Sequence, residues 1–281
     1  MKKIVGIALI VIGIVVFIRS VQSFFVVGER EVSERIANYD TIRLSGTAID
    51  WNIETYDGDE IVVELKNEGR RAQIVKKERG RELIIEVQEK SFRFFDFSFW
   101  GSPIVHVRFP ERDLEKFHFS TVAGDVEMSG TVKAEDAFFK TVSGNLRLTS
   151  VGSRQVTVES VSGDIIIDAL QTEKATFKNT SGDLYVKNFS GKLEATSISG
   201  DVDVEFADEN EDVRIATTSG DISLRIPSPN AEVTLKTASG DFLIDMPIDE
   251  QAMEKRSVSG KIGAGSYSLN VTTTSGDIRL R

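Results

Sequence analysis

The chain lacks cysteine, which excludes disulfide bonds, thiolate metal sites, a cysteine nucleophile and a lipidated cysteine anchor. It also lacks an excess of positive charge: 34 Lys and Arg stand against 44 Asp and Glu, for a net charge of −10. Nucleic-acid binding through bulk charge is therefore not predicted. Proline is scarce, with 5 residues against 22 glycines, so the turns are expected to be built with glycine.

Residues that carry catalytic chemistry are equally few. The two histidines, His106 and His118, each lie between apolar residues, so both are expected to face outward from strands and to form neither a metal site nor a triad. The sequence contains no nucleophile elbow, P-loop or dinucleotide fingerprint. It therefore predicts no catalytic residue, no cofactor, no metal ligand and no enzymatic activity. A carbohydrate-active enzyme is the alternative, because clusters that form only in space are invisible in a sequence.

The first segment is predicted to be a membrane anchor covering residues 1–27. Lys2 and Lys3 precede an apolar run from Ile4 to Ile18, which resumes after Arg19. The run to Val27 is long enough to span a bilayer if Arg19 reaches the headgroups. A signal peptide cleaved after Val21-Gln22-Ser23 is the alternative. Either interpretation places the rest of the chain outside the cytoplasm.

The remaining sequence is dominated by a Ser-Gly-Asp repeat. The gaps between successive glycines are 18 to 20 residues, and the last gap is 16. The residue after the glycine is Asp seven times, with Asn145 and Lys261 as the exceptions. The predicted turn glycines are Gly124, Gly144, Gly163, Gly182, Gly200, Gly220, Gly240, Gly260 and Gly276.

Apolar residues alternate with polar ones on both sides of each turn, as Val213 and Ile215 do before Gly220 and Ile222 and Leu224 do after it. Period-two alternation indicates strands with one buried face. A repeat of this length cannot bury that face alone and must stack on its neighbours. The predicted fold is all-β: a single-stranded parallel β-helix of about 20-residue coils, wound right-handed.

The same alternation assigns side chains to the inside and the outside of each turn. A small polar residue three positions before each glycine, such as Thr121 or Ser197, is expected to point inward, as is the serine directly before the glycine. Stacked hydroxyls would then satisfy one another. The row two positions before the glycine is expected to point outward: Val122, Val142, Val161, Thr180, Ile198, Thr218, Ala238, Val258 and Thr274. This row is either exposed strand formers or an interaction surface.

The region 28–110 is less regular and is predicted to form irregular β coils, with 111–281 as the regular repeats; a separate small β domain is the alternative. Ile42–Gly46 resembles a degenerate first turn. The aromatic stretch from Phe92 to Trp100 includes Phe97 and Phe99. It is expected either to cap the core or to form an exposed patch.

Two further expectations concern charge. The aspartates that follow the turn glycines stack at coil spacing, where weak cation binding stays open. The strand Ile278–Arg281 is expected to leave an open edge bearing two arginines. Lys255 and Lys261 depart from the repeat, so distortion of the last two coils is expected.

An N-terminal anchor followed by Thr-x-Ser-Gly-Asp-apolar-x-apolar repeats resembles the bacterial LiaG-like "putative adhesin" β-strand-repeat family. The resemblance covers residues from about 35 to the end and includes no known catalytic residues. It implies a bacterial cell-envelope location and, for some members, a link to envelope-stress systems.

Together these observations predict a non-catalytic, single-pass membrane protein of the bacterial cell envelope with an extracytoplasmic β-helix. Its partner would be a wall polymer or a membrane protein, with the membrane itself bound through the anchor. The candidate interaction residues are Val122, Val142, Val161, Ile198, Val258, Phe97, Phe99 and Trp100. A structural spacer with no ligand is a further alternative.

Overall fold

The structure is a computed structural model that describes residues 31–66, 72–89 and 103–281. The predicted anchor, residues 1–27, and the aromatic residues Phe97, Phe99 and Trp100 lie outside the described residues. Within the described ranges, helix is limited to one 3-10 turn, Ile36–Asn38, so they contain no helix able to cross a membrane.

All described strands belong to one 21-stranded sheet, so the described chain is all-β. The strands are β1 Glu31–Arg35, β2 Thr41–Ala48, β3 Asp50–Tyr56, β4 Glu60–Lys66, β5 Ala72–Arg79, β6 Glu82–Glu89, β7 Ile104–Pro110, β8 Asp113–Ala123, β9 Val126–Ser143, β10 Leu146–Ser162, β11 Ile165–Ser181, β12 Leu184–Ser199, β13 Val202–Phe206, β14 Val213–Ser219, β15 Ile222–Arg225, β16 Ala231–Ser239, β17 Phe242–Ile244, β18 Asp249–Glu254, β19 Ser257–Ile262, β20 Tyr267–Ser275 and β21 Ile278–Leu280.

The central strands stack in the parallel register that the repeat predicts. Val156 of β10 lies beside Ala137 of β9 and Ala175 of β11, one repeat behind and one repeat ahead. Each coil has one stretch before its turn and one after it, and each stretch pairs only with its equivalents. The two stretches form two faces that enclose the core.

The core is one continuous column of apolar side chains from the alternating positions. Val158, Ile167, Leu235 and Leu280 are all fully buried. Aromatic rings stack from coil to coil inside it, and Phe189 meets Phe206 edge to face with 5.1 Å between ring centroids.

At one end, the coil order in space departs from the order along the chain. β20 lies between β14 and β16, and β21 lies between β15 and β17. The coil 267–281 is therefore inserted between two earlier coils. The expected open edge at Ile278–Arg281 is wrong, because Ile278 and Leu280 are buried between two strands.

The other end is interleaved in the same manner. β2 lies between β6 and β8, and β3 lies between β7 and β9. Antiparallel strands extend the stack at both ends: β5 beside β6, β4 and β1 beside β7, and β19 and β18 beside β16. Gly46 is paired with Thr121 inside a strand, so the first turn is not at Gly46; it falls at Ala48–Asp50, where Ala48 pairs with Ala123.

Candidate functional site: the Ser-Gly-Asp corner

The turn glycines form a column in which each backbone lies directly against the next. Eight of the nine have φ between +107° and +152°, the left-handed region that side chains rarely adopt. A Cβ placed on Gly144 would overlap the carbonyl oxygen of Gly124, and one on Gly163 would overlap that of Gly144. The turn therefore needs glycine both for its backbone angle and for the close approach of the coils.

Gly260 is the exception, and its prediction as a turn is wrong. It lies inside β19, which runs antiparallel to β16, and it is paired with Val233. Residues 249–262 form a hairpin added to the end of one face instead of a coil. Lys261, which replaces the aspartate, was the sequence signal for this departure.

A ladder of side-chain to backbone hydrogen bonds runs along the column, and we call it the aspartate ladder. The N–H of each rung donates to Oδ1 of the rung before it, at 2.8 to 3.0 Å. The rungs in spatial order are Asp50, Asp125, Asn145, Asp164, Asp183, Asp201, Asp221, Asp277 and Asp241. These bonds join one coil to the next.

Asp50 was missed as a rung because its turn has Ile49 where the others have glycine. The available signal was Trp51 and Ile53, which alternate after Asp50 as Val126 and Met128 do after Asp125. In the structure the N–H of Asp125 donates to Asp50 Oδ1 at 3.0 Å, so the ladder spans the irregular and regular regions without a break.

Small polar side chains line the inside of the corner, as expected. Thr121, Thr141, Ser160, Asn179, Ser197, Thr217, Thr237 and Thr273 are all buried. They do not satisfy one another as predicted. Thr217 Oγ1 donates to the carbonyl of Ser219 at 3.2 Å, and Thr273 Oγ1 donates to that of Gly220 at 3.3 Å. Five of these seven hydroxyls therefore bond to carbonyls of the turn, whereas Thr141 Oγ1 and Ser160 Oγ have no hydrogen-bond partner among the described residues.

The outside of the corner carries two rows of side chains. The serines before the glycines are exposed, as at Ser162, Ser181 and Ser219. Their predicted inward orientation is wrong, because the backbone leaves the strand geometry as it approaches the left-handed glycine. The second row, two positions before the glycine, is half-buried at Val122, Val142, Val161 and Thr180 and exposed at Ile198, Thr218, Thr274 and Ala238. We call these two rows together with the aspartate ladder the corner surface.

Val258 does not belong to the corner surface. It is fully buried, and it pairs with Leu235 across the antiparallel β16–β19 contact. Because β19 runs antiparallel to the coils, the rule that the residue two positions before the glycine points outward does not apply to it. Its prediction as an interaction residue is therefore wrong.

Comparison with known proteins identifies the family. A family model described as Toastrack DUF4097 matches residues 39–281. The chain belongs to this family. No curated protein matches.

Among solved structures, this Toastrack chain is similar to a "putative adhesin" from Bacteroides fragilis NCTC 9343, with 14% identity, 89% of this chain and 96% of that chain covered, and a TM-score of 0.53. It is also similar to a "putative lipid binding protein" from Parabacteroides distasonis ATCC 8503, with 17% identity, 89% and 96% coverage and a TM-score of 0.49. A "putative adhesin" from the latter organism gives 13% identity, 89% and 95% coverage and a TM-score of 0.48. At these identities, the first comparison shows the fold alone.

The electrostatics of the Toastrack corner differ from those of the face before the turns. On that face Glu159 accepts from Lys140 at 3.0 Å and from Lys178 at 3.1 Å, so its charge is paired. The eight ladder carboxylates form no ion pair with another described residue. The hydroxyl of Tyr185 donates a hydrogen bond to Asp183 Oδ2 at 3.0 Å. This bond, together with partial burial and the negative charges of Asp164 and Asp201, raises the pKa of Tyr185 to about 12.

The two histidines do not meet: His106 on β7 lies beside Asn52 of β3, and His118 on β8 lies beside Arg43 of β2 and Phe138 of β9. His118 is half-buried and stacks on Phe138, with 4.5 Å between ring centroids. Burial, followed by the charge of Arg43, lowers the pKa of His118 to about 4. Among the described residues, no group of three His, Asp or Glu is placed to hold a metal ion.

Proposed function

We propose that this chain is a non-catalytic, membrane-anchored protein of the bacterial cell envelope that uses its corner surface as an adhesin-like binding surface. One observation carries the proposal: the corner presents the same side-chain types once per coil in unbroken parallel register. A surface of this kind matches a ligand that is itself extended and repetitive.

The corner surface is rigid for reasons visible in its bonds. Every rung of the aspartate ladder is tied to the next, and the glycine column lets the coils pack without side chains between them. A surface that is already ordered loses little conformational entropy on binding. Weak contacts repeated at each coil can then add up along a polymer.

The chemistry of the corner narrows the ligand. Exposed serine hydroxyls can donate and accept hydrogen bonds, and the adjacent β-branched side chains offer apolar contact. The ladder carboxylates, which form no ion pair with another described residue, repel a polyanion. These features favour an uncharged or amino-bearing wall glycan over an anionic wall polymer.

The location of the protein rests on the sequence. Lys2 and Lys3 ahead of the apolar run from Ile4 support a single-pass anchor over residues 1–27, with the coils outside the cytoplasm. Right-handed winding of the coils follows from the general preference of parallel crossovers. The LiaG-like resemblance adds a role as an accessory of an envelope-stress system.

The test is a pull-down with the full chain, purified in mild detergent, against isolated wall material and separately against solubilised membranes. The corner variant combines Ile198→Lys and Thr218→Lys, which lie in the outward row. The matched control combines Gln155→Lys and Gln171→Lys, which are also exposed, make the same charge change and lie away from the corner.

Retention on wall material that the corner variant loses and the control keeps supports the adhesin-like role. If one membrane protein is captured by the parent and the control but not by the corner variant, the partner is a membrane protein. That result overturns the assignment of a wall glycan as the ligand. Retention on neither, or equal retention by both variants, overturns the proposed surface and leaves a structural spacer.

A further inference from the structure

We propose that the coil 267–281 is an exchangeable insert, and that its slot in one copy of the protein can be filled by the same coil from a second copy. This inference goes beyond the proposed function and does not depend on it. It identifies an interaction surface, the slot between β14–β15 and β16–β17, and its partner, a second copy of the chain.

The slot exists because two coils that are consecutive in sequence, β14–β15 and β16–β17, are separated in space by the width of one further coil. β15 ends at Arg225, and the next coil begins with β16 at Ala231. β16 and β17 do not pair with β14 and β15; β20 and β21 lie between them. Before residues 267–281 arrive, two rows of parallel strand edges therefore face each other across an empty layer.

The insert fills that layer completely. Leu269, Val271, Ile278 and Leu280 are fully buried in the core. The N–H of Asp277 donates to Asp221 Oδ1 at 2.8 Å, and Asp277 Oδ1 accepts from the N–H of Asp241 at 2.9 Å. A vacant slot would expose this apolar layer and break the aspartate ladder, so one occupant is strongly favoured over none.

The contacts of the insert are made with segments distant in sequence. β19, the strand directly before it, pairs with β16 and β18 and not with β20. The described chain enters the insert only through residues 263–266. The same coil from another copy would make identical contacts, which is the condition for exchange of an element between protomers.

The connection 263–266 has the properties of a hinge. Ile262 and Tyr267 both pair with Ala231, on opposite sides of β16. The loop therefore passes around the start of β16 and spans two strand spacings, about 10 Å. Gly263 and Gly265 hold it in left-handed turns, at φ of +62° and +70°. Removing Ala264 and Gly265 would leave about 11 Å of extended chain, too little to pass around a strand, so the insert could reach only the slot of a neighbour.

The absence of cysteine allows a direct test by disulfide trapping. Thr218 and Thr274 are exposed neighbours on β14 and β20, because Thr217 pairs with Thr273 and Ser219 with Ser275. Adjacent strands place two such cysteines within disulfide range. One full-length copy carries Thr218→Cys and the other Thr274→Cys, so that a disulfide between them forms only when the insert of one occupies the slot of the other.

The two copies are mixed, unfolded and refolded together at low and high protein concentration, and then oxidised, with the native loop and with Ala264 and Gly265 deleted. The control mixture carries Thr180→Cys and Ile198→Cys, which are neighbours on β11 and β12 in coils that cannot exchange alone. The Thr218→Cys and Thr274→Cys double variant reports correct folding through a disulfide within one chain.

We expect a 218–274 disulfide dimer that rises several-fold with concentration for the native loop and is absent from the control mixture. The shortened loop should raise its yield further, toward the share of mixed dimers that random pairing of the two copies allows. If the shortened chain fails to fold, the native-loop mixture decides. No interchain disulfide above the control, in a chain whose double variant closes its disulfide internally, overturns the proposal.

Discussion

The N–H of Asp277 donates to Oδ1 of Asp221, 56 residues earlier in the chain, at 2.8 Å. From Asp125 to Asp221, by contrast, successive partners are 18 to 20 residues apart. The long-range bond shows that the ladder follows the order of coils in space and not in sequence. It also shows that the ladder holds coils together wherever the chain has placed them.

Removing a ladder carboxylate is expected to weaken one junction between coils. Asp201→Ala leaves the N–H of Asp221 without its acceptor and should lower the free energy of unfolding by about 1 kcal/mol. Asp201→Asn keeps an Oδ1 acceptor, as Asn145 does naturally, and should stay within about 0.5 kcal/mol of the parent. Urea unfolding curves of the three proteins measure the difference. Equal losses for Ala and Asn would show that the ladder bond contributes nothing.

The glycine column predicts a large, position-specific effect. Gly182→Ala forces a side chain into φ of +108° and into the carbonyl oxygen of Gly163, so we expect a loss of about 3 kcal/mol or more. Gly152 is the matched control: a methyl group added to it would meet no atom within 4 Å, and Gly152→Ala should change stability by less than about 1 kcal/mol. Thermal unfolding checks both. Similar losses at the two positions would argue against the column.

His118 makes stability depend on pH. Its pKa is lowered in the folded protein to about 4, so the unfolded chain binds more protons between pH 4 and its ordinary value near 6.5. Stability is therefore lost as pH falls through that window, by about 2 kcal/mol after allowance for partial exposure. The charged groups around it are Arg43, Glu82 and Lys140.

The measurement for His118 is the urea midpoint from pH 4 to pH 7, compared with that of His118→Gln. Carboxylates also titrate near the lower limit, but they do so in both proteins, so the difference isolates the histidine. We expect the parent to lose more stability on acidification than the variant. Parallel curves would contradict the lowered pKa.

Tyr185 offers a spectroscopic readout of the acidic corner. Its pKa is raised to about 12 first by the hydrogen bond to Asp183. Asp183→Asn removes the negative charge of that acceptor and should shift the tyrosinate transition of Tyr185 to lower pH. Ultraviolet titration at the tyrosinate band, with Tyr185→Phe to assign the transition, follows it. An unchanged transition would show that the corner does not act on this ring.

The sequence predicted the regular part of the fold well, because its signals are local. Alternation before and after each turn identified Val213, Ile215, Ile222 and Leu224 as core residues, and all four are buried. The inward position of Thr217 followed from the same parity. The outward serines were missed because parity holds only while the chain is extended, and the left-handed glycine ends that regularity.

The coil order could not be predicted from the repeat, because every coil offers nearly the same edges to every other. The pairing of β20 with β14 and β16 depends on contacts between segments that are distant in sequence. A periodic sequence pattern contains no information about those contacts. Two local signals marked the irregular region: Lys261 in place of an aspartate, and the short gap from Gly260 to Gly276. They correctly indicated a departure but not its form.

The inserted coil has a consequence for how the chain can fold as it is made. A stack with coils in chain order could grow one layer at a time as the chain leaves the ribosome. Here the layer between β15 and β17 cannot be completed until residues 267–281 have emerged, although its neighbours are already present. Until then, two unpaired parallel edges remain open to aggregation. The slow step in the maturation of this protein is therefore expected to be closure of an internal gap by the last described strands, and not growth at an end.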